Sequence, residues 1–234
     1  MLPEFKDKVQ LTVADDQNAL IEAVVAQIES AASHATKLRG AFTMAVSGGS
    51  SPRPLLESLA QQSGIPWEQG LVSLVDERYV PADSPDSNEN LVRQCLLTHQ
   101  AADTRFIGLY SDTRTIDQQL AELNTNSDLN LIDIAVLGMG MDGHTASLFP
   151  CSPEFTHNLT TEQRYVKATP QTAPHPRISL SATALAHVTE LVLFIPGKKK
   201  LDRLQQILEG EDLLSPVKTL LTQRQLPLKV FSAP

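Results

Sequence analysis

The sequence predicts an α/β fold in which helices cover both faces of a largely parallel sheet. Short apolar runs of strand length alternate with amphipathic helical segments along the 234 residues, and this alternation is typical of parallel sheets. The composition, with 41% apolar and 20% charged residues, is that of a globular protein that can bury a sizeable core. No repeat or low-complexity tract marks a boundary, so we treat residues 1–234 as a single domain.

Helical segments are predicted from apolar periodicity and from the residues that begin and end them. Asp15 or Asp16 can cap a first helix, and Gly40 ends it. A second helix is predicted to begin near Pro52. The remaining helical patterns cover residues 88–97, 113–123 and 198–209.

Strands are predicted where short apolar runs lie between turn residues. The predicted strands cover residues 41–46, 71–75, 106–109, 131–137, 177–180, 190–195 and 228–232. The Pro- and Thr-containing segment 168–176 is predicted to be the one long loop.

Charge and composition exclude several classes of function. The net charge of −8 argues against broad nucleic-acid or acidic-membrane binding, although a few cations inside a cleft could still bind an anionic small molecule. No basic segment followed by an apolar stretch resembles a secretory signal, and no apolar run is long enough to span a bilayer. We expect a cytoplasmic protein, with a monomer favoured.

The first candidate site is the loop Ser47-Gly48-Gly49-Ser50, which follows the predicted strand 41–46. Glycines allow a close approach of the backbone to an anion, and a helix start directs free N–H groups at it. Ser51 is predicted as the N-cap and Pro52 as the first helical residue. The pattern resembles a phosphate cradle, but an ordinary capped turn would have the same residues.

The second candidate site is the segment 138–150, which follows the predicted strand 131–137. It matches GxGxxG, but Pro150 and Pro153 interrupt the long helix that a dinucleotide site requires. Asp142 and His144 instead lie in a glycine-rich turn at the end of a strand, where ligands bind in open α/β sheets. Histidine ordinarily titrates near neutral pH and can transfer protons there. We therefore prefer a catalytic loop to a simple polar turn.

Charged residues follow another predicted strand and recur near the carboxyl end of the chain. Asp76, Glu77 and Arg78 follow the strand 71–75, and we predict that they lie in a loop that either shapes a pocket or forms a solvated charge cluster. Arg177 lies further along, in the predicted strand 177–180. Lys200 ends three consecutive lysines at a helix start. Such lysines most often form a solvated helix face, but a glycine before a helix start with a lysine nearby also suits a phosphate.

Other common kinds of active site are excluded by missing spacings. The sequence has no GxxxxGK[ST] phosphate loop, no GxSxG nucleophile turn and no HExxH zinc motif. Cys95 and Cys151 have no CxxC spacing, so neither a disulfide framework nor a thiolate metal site is suggested. We expect no metal and no organic cofactor.

Six motifs together resemble the 6-phosphogluconolactonase family. In order, they are SGGSSP at 47–52, VDERYVP at 75–81, the pair Ser87-Asn88, GMGMDGHTASLFP at 138–150, RISL at 177–180 and the Gly-x-x-Lys that ends at Lys200. The string DGHTASLFP is the most specific of them. One departure is Ser51, where the family usually has threonine.

The resemblance implies a Rossmann-like fold and hydrolysis of 6-phosphoglucono-δ-lactone in the pentose phosphate pathway. It implies that His144 acts as a general base on water and that Asp142 orients the ring or stabilises the imidazolium. Phosphate and substrate contacts are implied for the following residues: Ser47, Gly48, Gly49, Ser50, Asp76, Arg78, Arg177 and Lys200. The expected partner is a small sugar-phosphate lactone, with neither nucleic acid nor membrane.

Two other functions stay open at this stage. The related glucosamine-6-phosphate deaminases share the Asp-Gly-His loop, but they carry a glutamate where this chain has Phe149. Phe149 cannot transfer a proton, which favours the lactonase. A non-catalytic sugar-phosphate sensor is the second alternative, and the intact His144 argues against it.

Overall fold

A computed structural model describes residues 5–210 and 215–234. Seven parallel strands form the main sheet, in the order β1-β10-β9-β6-β2-β3-β5. Its strands are β1 (Val9–Val13), β2 (Phe42–Val46), β3 (Gly70–Leu74), β5 (Arg105–Phe106), β6 (Ile134–Leu137), β9 (Glu190–Phe194) and β10 (Leu228–Ser232). A small antiparallel sheet has the order β4-β8-β7. Its strands are β4 (Asp76–Arg78), β7 (Tyr165–Ala168) and β8 (Arg177–Leu180).

Eight α-helices are present in the described residues. They are α1 (Gln17–Arg39), α2 (Arg53–Ala60), α3 (Asn88–Cys95), α4 (Ile116–Thr125), α5 (Phe155–Thr160), α6 (Ala182–His187), α7 (Lys198–Glu209) and α8 (Pro216–Gln223). Every residue of β3 and β6 is buried, so the central strands are covered on both faces, as the apolar runs predicted.

Local signals determine the long first helix. The side chain of Asp16 accepts a hydrogen bond from the backbone N–H of Ala19, and Gly40 ends the helix in the left-handed region at φ 80°. Both features match the predicted caps. The predicted helix 198–209 and the predicted strand 228–232 are also confirmed with their boundaries.

The order of the strands creates a crevice between β2 and β6. From β2 the chain continues to β3 and β5 on one side, and it returns through β6 on the other side of β2. Ligands of open α/β sheets bind at the carboxyl ends of the strands where this reversal occurs. The loops that follow β2 and β6 are the two glycine-rich segments that the sequence singled out.

The small antiparallel sheet corrects one prediction. The segment that begins at Asp76 was predicted as a loop, but Asp76–Arg78 form β4, which pairs with β8. The register places Asp76 opposite Ser179 and Arg78 opposite Arg177. Three polar residues do not resemble a strand, and only pairing with a distant segment makes them one.

Other boundaries shift by a few residues, and several elements were not predicted. Helix α2 begins at Arg53, its N-cap position is Pro52, and no side chain caps it; the prediction of Ser51 as the N-cap was therefore wrong. Helix α4 begins after Thr115, which forms a capping box with Gln118. The strand predicted at 106–109 ends at Phe106.

The unpredicted elements are β1, β7, α5, α6 and α8. No helix among the described residues is long and apolar enough to cross a membrane.

Candidate active site

A cavity of 260 Å³ opens at the crevice between β2 and β6. The loop after β2, the loop after β6, β4, β8 and the first turn of α7 all contribute to its walls. The predicted residues that line it are Ser47, Gly48, Gly49, Ser50, Asp76, Arg78, His144, Arg177 and Lys200. Segments separated by about 150 positions in the sequence therefore meet at one site.

Backbone hydrogen bonds within the loop after β6 fold it onto itself. The N–H of Gly140 donates to the carbonyl of His144 at 2.9 Å, and the N–H of Gly143 donates to the carbonyl of Gly140 at 3.0 Å. Gly143 has φ 86°, a conformation that glycine adopts without strain. A side chain at Gly140 would meet the imidazole of His144 and lie 2.5 Å from Oδ1 of Asp142. The glycines thus create the space in which these two side chains meet.

His144 and Asp142 form a hydrogen-bonded pair. Nδ1 of His144 lies 2.5 Å from Oδ1 of Asp142, and the backbone N–H of His144 donates to the same oxygen at 3.3 Å. The hydrogen bond from His144 holds the pKa of the Asp142 carboxyl below its ordinary value, although partial burial opposes this shift. An ionised Asp142 fixes the proton on Nδ1, which leaves Nε2 of His144 as the nitrogen that can accept a proton.

The loop after β2 approaches the cavity through its backbone. Gly49 lies in the left-handed region at φ 97°. A side chain at Gly48 would collide with the buried side chain of Asn88, whose Cβ would be 2.8 Å away. The Oγ of Ser47 donates to the carbonyl of Val136 at 2.9 Å, which attaches the loop to β6. These contacts present the Gly48-Gly49 backbone to the cavity, as an anion cradle requires.

Two arginines lie opposite each other across the β4–β8 pair. Arg177 is only 7% exposed, its Nε has no hydrogen-bond partner among the described residues, and its side chain donates weakly to the carbonyl of Pro174 at 3.5 Å. Burial lowers the pKa of Arg177, Arg78 lowers it further, and Asp76 opposes both effects. Arg78 donates to the carbonyl of Asp86. Like charges at directly opposed positions are unfavourable, so this arrangement favours an anion between or beside the two guanidinium groups.

Lys200 adds a third cation from the first turn of α7. Its Nζ donates to Oγ of Ser51 at 3.3 Å, so the side chain reaches across the cavity mouth to the loop after β2. Burial lowers the pKa of Lys200. Within the described part of the chain, Lys200 forms no ion pair with a carboxylate, so a bound anion would offset the cost of burying its charge.

Asp76 is the carboxylate in the cavity wall. Its Oδ2 accepts a hydrogen bond of 2.6 Å from Oγ of Ser147, and the N–H of Ser147 donates to Oγ of Ser179 at 3.1 Å. These buried contacts connect the loop that carries His144 to both β4 and β8. Asp76 is therefore fixed in position and can accept hydrogen bonds from a bound hydroxyl group.

Glu77 points away from the cavity and holds the start of α3. Its carboxylate accepts hydrogen bonds from the N–H groups of Arg78, Asn88 and Glu89 and from Oγ of Ser87, at 2.7 to 2.9 Å. Burial raises the pKa of Glu77, and these four donors oppose the shift. The acidic side chain at a helix N-terminus fixes Asn88 in turn.

Asn88 is the cavity residue whose role the sequence reasoning missed. It is 3% exposed and lines the cavity, and its Nδ2 donates to the carbonyl of Asp76 at 2.7 Å. The pair Ser87-Asn88 is one of the six sequence motifs, but the neighbouring residues give no sign that Asn88 does more than cap a helix. Asp142, in contrast, was predicted as a site residue but does not line the cavity. It contacts the site through its hydrogen bond with His144.

A larger cavity of 460 Å³ lies elsewhere, near the amino ends of β6 and β9. It is lined by Leu131, Arg164 and His187, among others. Arg164 already donates to the carbonyls of Leu123 and Asn126, so its hydrogen bonds stabilise the backbone at the end of α4. The smaller cavity is the better candidate because Arg78, Arg177 and Lys200 converge on it, and among the described residues none of the three forms an ion pair with a carboxylate. Among the described residues, no group of three or more His, Cys, Asp or Glu could hold a metal ion.

Comparison with known proteins connects this site to a family. Residues 15–228 match the family described as glucosamine-6-phosphate isomerases/6-phosphogluconolactonase. A protein of Pseudomonas putida named 6-phosphogluconolactonase is 38% identical over 200 residues, which cover 84% of this chain and 81% of that protein. One of the same name from Rhizobium meliloti is 34% identical over 95% of this chain and 97% of that protein.

A solved structure shares the fold over nearly the whole chain. The crystal structure of a 6-phosphogluconolactonase from Shewanella baltica superposes with a TM-score of 0.88 at 37% identity, covering 98% of this chain and 99% of that one. The α/β architecture with its mostly parallel sheet, as predicted from the alternation of strands and helices, is thereby confirmed.

Proposed function

Because the chain belongs to the glucosamine-6-phosphate isomerase/6-phosphogluconolactonase family, we propose that it hydrolyses 6-phosphoglucono-δ-lactone to 6-phosphogluconate. The observation that carries this proposal is that His144, which is hydrogen-bonded to Asp142, lines one cavity together with three cations. The pair suits proton transfer, and the cations suit a phosphate. A small phosphorylated ester requires both.

The phosphate would bind on the side of the cavity formed by Arg177, Lys200 and the backbone of Gly48 and Gly49, with Arg78 at its edge. Arg177 has an unpartnered Nε and Lys200 is half-buried, so both cations gain an interaction when an anion arrives. Phosphate binding far from the reacting carbon positions the lactone and contributes to the rate.

His144 would act as the general base. Its Nε2 takes a proton from water while the water oxygen bonds to the lactone carbonyl carbon, and Asp142 stabilises the imidazolium that forms. When the tetrahedral intermediate collapses, the bond from that carbon to the ring oxygen breaks and the imidazolium returns its proton to the ring oxygen. The product is the open-chain acid, and the enzyme returns to its starting state. Asp76 and Ser50 would position sugar hydroxyls and the phosphate.

The deaminase function is less well supported by the geometry. Phe149 is 4% exposed and stacks on His144, with ring centroids 4.0 Å apart. The position at which related deaminases carry a glutamate therefore holds an apolar ring in contact with the histidine. Aldose–ketose chemistry needs a further acid or base beside the histidine, and this ring supplies none.

The deciding experiment measures two activities on one preparation. We expect hydrolysis of 6-phosphogluconolactone above the spontaneous rate, and no ammonia release from glucosamine 6-phosphate. Robust ammonia release with weak lactone turnover would establish the deaminase instead. Absence of turnover with tight binding of 6-phosphogluconate would establish a sensor.

Three further expectations accompany the proposal. Lactone hydrolysis should survive exhaustive EDTA treatment, and reversible loss restored by a divalent ion would reveal a metal site that we do not expect. A monomer and a cytoplasmic location remain predictions, which size-exclusion chromatography and cell fractionation would test.

A further inference from the structure

We propose that Phe149 is a positioning residue that couples anion binding at Arg177 to the orientation of the His144 imidazole. The proposal depends on the proposed function for the roles of these two residues. Its basis is that one phenyl ring contacts both residues. The ring of Phe149 stacks on His144 with centroids 4.0 Å apart and planes 24° apart, and Cζ of Arg177 lies 5.0 Å from the centroid of the same ring.

The imidazole needs a second support because its hydrogen bond fixes only one of its atoms. Among the described contacts, the one hydrogen bond of the His144 ring joins Nδ1 to Asp142, and the side chain of Asp142 is 48% exposed. A single hydrogen bond leaves the ring free to rock about that contact. Stacking on a buried phenyl ring defines the plane of the imidazole and hence the direction of Nε2, the nitrogen that would meet water.

The guanidinium of Arg177 contacts this ring and has few polar contacts of its own. Its hydrogen bond to the carbonyl of Pro174 is long at 3.5 Å, and within the described residues its Nε has no partner. Asp76 attracts it and Arg78 repels it. A cation close to an aromatic ring is held by the ring quadrupole and by packing. An anion that binds Arg177 therefore fixes a group in contact with Phe149.

Phe149 can transmit this restraint because it is rigid and enclosed. It is 4% exposed, and a phenyl ring moves as one plate with only two side-chain torsions. Fixing Arg177 with a phosphate restricts the ring, and the ring restricts the imidazole. The phosphate of the substrate should then raise kcat as well as lower KM, since its binding energy is used to orient the base.

The test compares Phe149→Leu with the wild type on 6-phosphogluconolactone and on unphosphorylated gluconolactone. We expect the leucine variant to lose roughly tenfold in kcat on the phosphorylated lactone and clearly less on the plain lactone, since a misoriented base costs rate at the step the phosphate normally assists. Phe149→Tyr keeps the ring and should restore most of the difference. An unchanged ratio of the two kcat values in Phe149→Leu would overturn the proposal.

Phe155→Leu is the matched control. Phe155 is a similarly buried phenylalanine at the start of α5, 5% exposed, and the ring contacts with His144 and Arg177 are made by Phe149 instead. Its substitution should lower the melting temperature without changing the ratio of the two kcat values. An equal change of the ratio in both variants would mean that loss of packing alone, rather than the ring contacts, produces the effect.

A second measurement does not need turnover. The side-chain NMR signals of His144, assigned by their loss in His144→Ala, should shift when inorganic phosphate is added to the wild type and should shift much less in Phe149→Leu. Equal shifts in both proteins would contradict the coupling.

If Phe149→Leu does not fold, Phe149→Met replaces it in both measurements. If the wild type hydrolyses neither lactone, the proposed function fails while this measurement still decides the coupling.

Discussion

The side chain of Asn88 fills the space beside Gly48: a Cβ at Gly48 would lie 2.8 Å from the Cβ of Asn88 and closer still to its amide group. Asn88 is itself held by the carbonyl of Asp76 and by the carboxylate of Glu77. A side chain at position 48 would therefore collide with Asn88, which these hydrogen bonds keep from moving away. The glycine loop of the proposed phosphate cradle is in this way tied to the start of α3.

Gly48→Ala is expected to lower kcat/KM at least ~10-fold, because a loop displaced by about 1 Å loses productive substrate geometry. Steady-state kinetics on 6-phosphogluconolactone measures the effect. Gly64→Ala is the control: its Cβ would meet the carboxylate end of Glu29, which can rotate away. Similar losses in both variants would show that the close packing at Gly48 is not specific to the site.

His144→Ala is expected to fold normally and to lose roughly 10²–10⁴-fold in kcat, the usual contribution of a general base. His34→Ala, which changes an exposed histidine of α1, should leave kcat unchanged. Near-wild-type turnover by His144→Ala, after subtraction of spontaneous hydrolysis, would remove His144 from the mechanism.

The lowered pKa of Asp142 makes a prediction for the acid side of the pH profile. The hydrogen bond from His144 lowers the pKa of Asp142, so Asp142 stays ionised until the pH falls below the ordinary range of an aspartate. Protonation of Asp142 should therefore cause no loss of activity in the usual carboxyl range. Asp142→Asn should keep the fold and lower kcat. A loss of activity in the ordinary carboxyl range that is present in the wild type and absent from Asp142→Asn would contradict this account.

Removal of Arg177 or Lys200 should raise KM for the phosphorylated lactone by about 10- to 150-fold, since a charge-assisted contact contributes about 1.5–3 kcal/mol. The kinetics of plain gluconolactone should change little. Lys199→Ala, an exposed neighbour on α7, is the control and should behave as the wild type. Equal effects of Arg177→Ala and Lys200→Ala on both lactones would show that these cations do not bind the phosphate.

Glu77→Gln is expected to lower the free energy of unfolding by about 2–3 kcal/mol, because an amide NH₂ would face buried donors that now bond to a carboxylate oxygen. Each carboxylate oxygen of Glu77 accepts two hydrogen bonds. Glu57→Gln changes a half-exposed carboxylate of an i,i+4 pair and should cost less than about 0.5 kcal/mol. Denaturant unfolding measures both, and comparable values would contradict the buried role of Glu77.

Local patterns were sufficient for most helices and strands and for the loop that carries the candidate base. The caps at Asp16 and Gly40 act within one helical turn, so the sequence alone contains the signal. The same holds for the turn around His144, whose glycines and Asp142 lie within a few residues of it. The family resemblance, rather than spacing, supplied the expected roles of Arg177 and Lys200.

Tertiary structure alone decided how the distant residues meet. Pairing of β4 with β8 turned a predicted loop into a strand and placed Arg78 opposite Arg177. The contact of Arg177 with Phe149 and three of the four hydrogen bonds of Glu77 likewise join separate segments. Such contacts depend on strand register and on buried polar groups finding partners, and neither is encoded in the periodicity of one segment. The sequence therefore determined which residues were available, and the packing of distant segments determined which of them form the site.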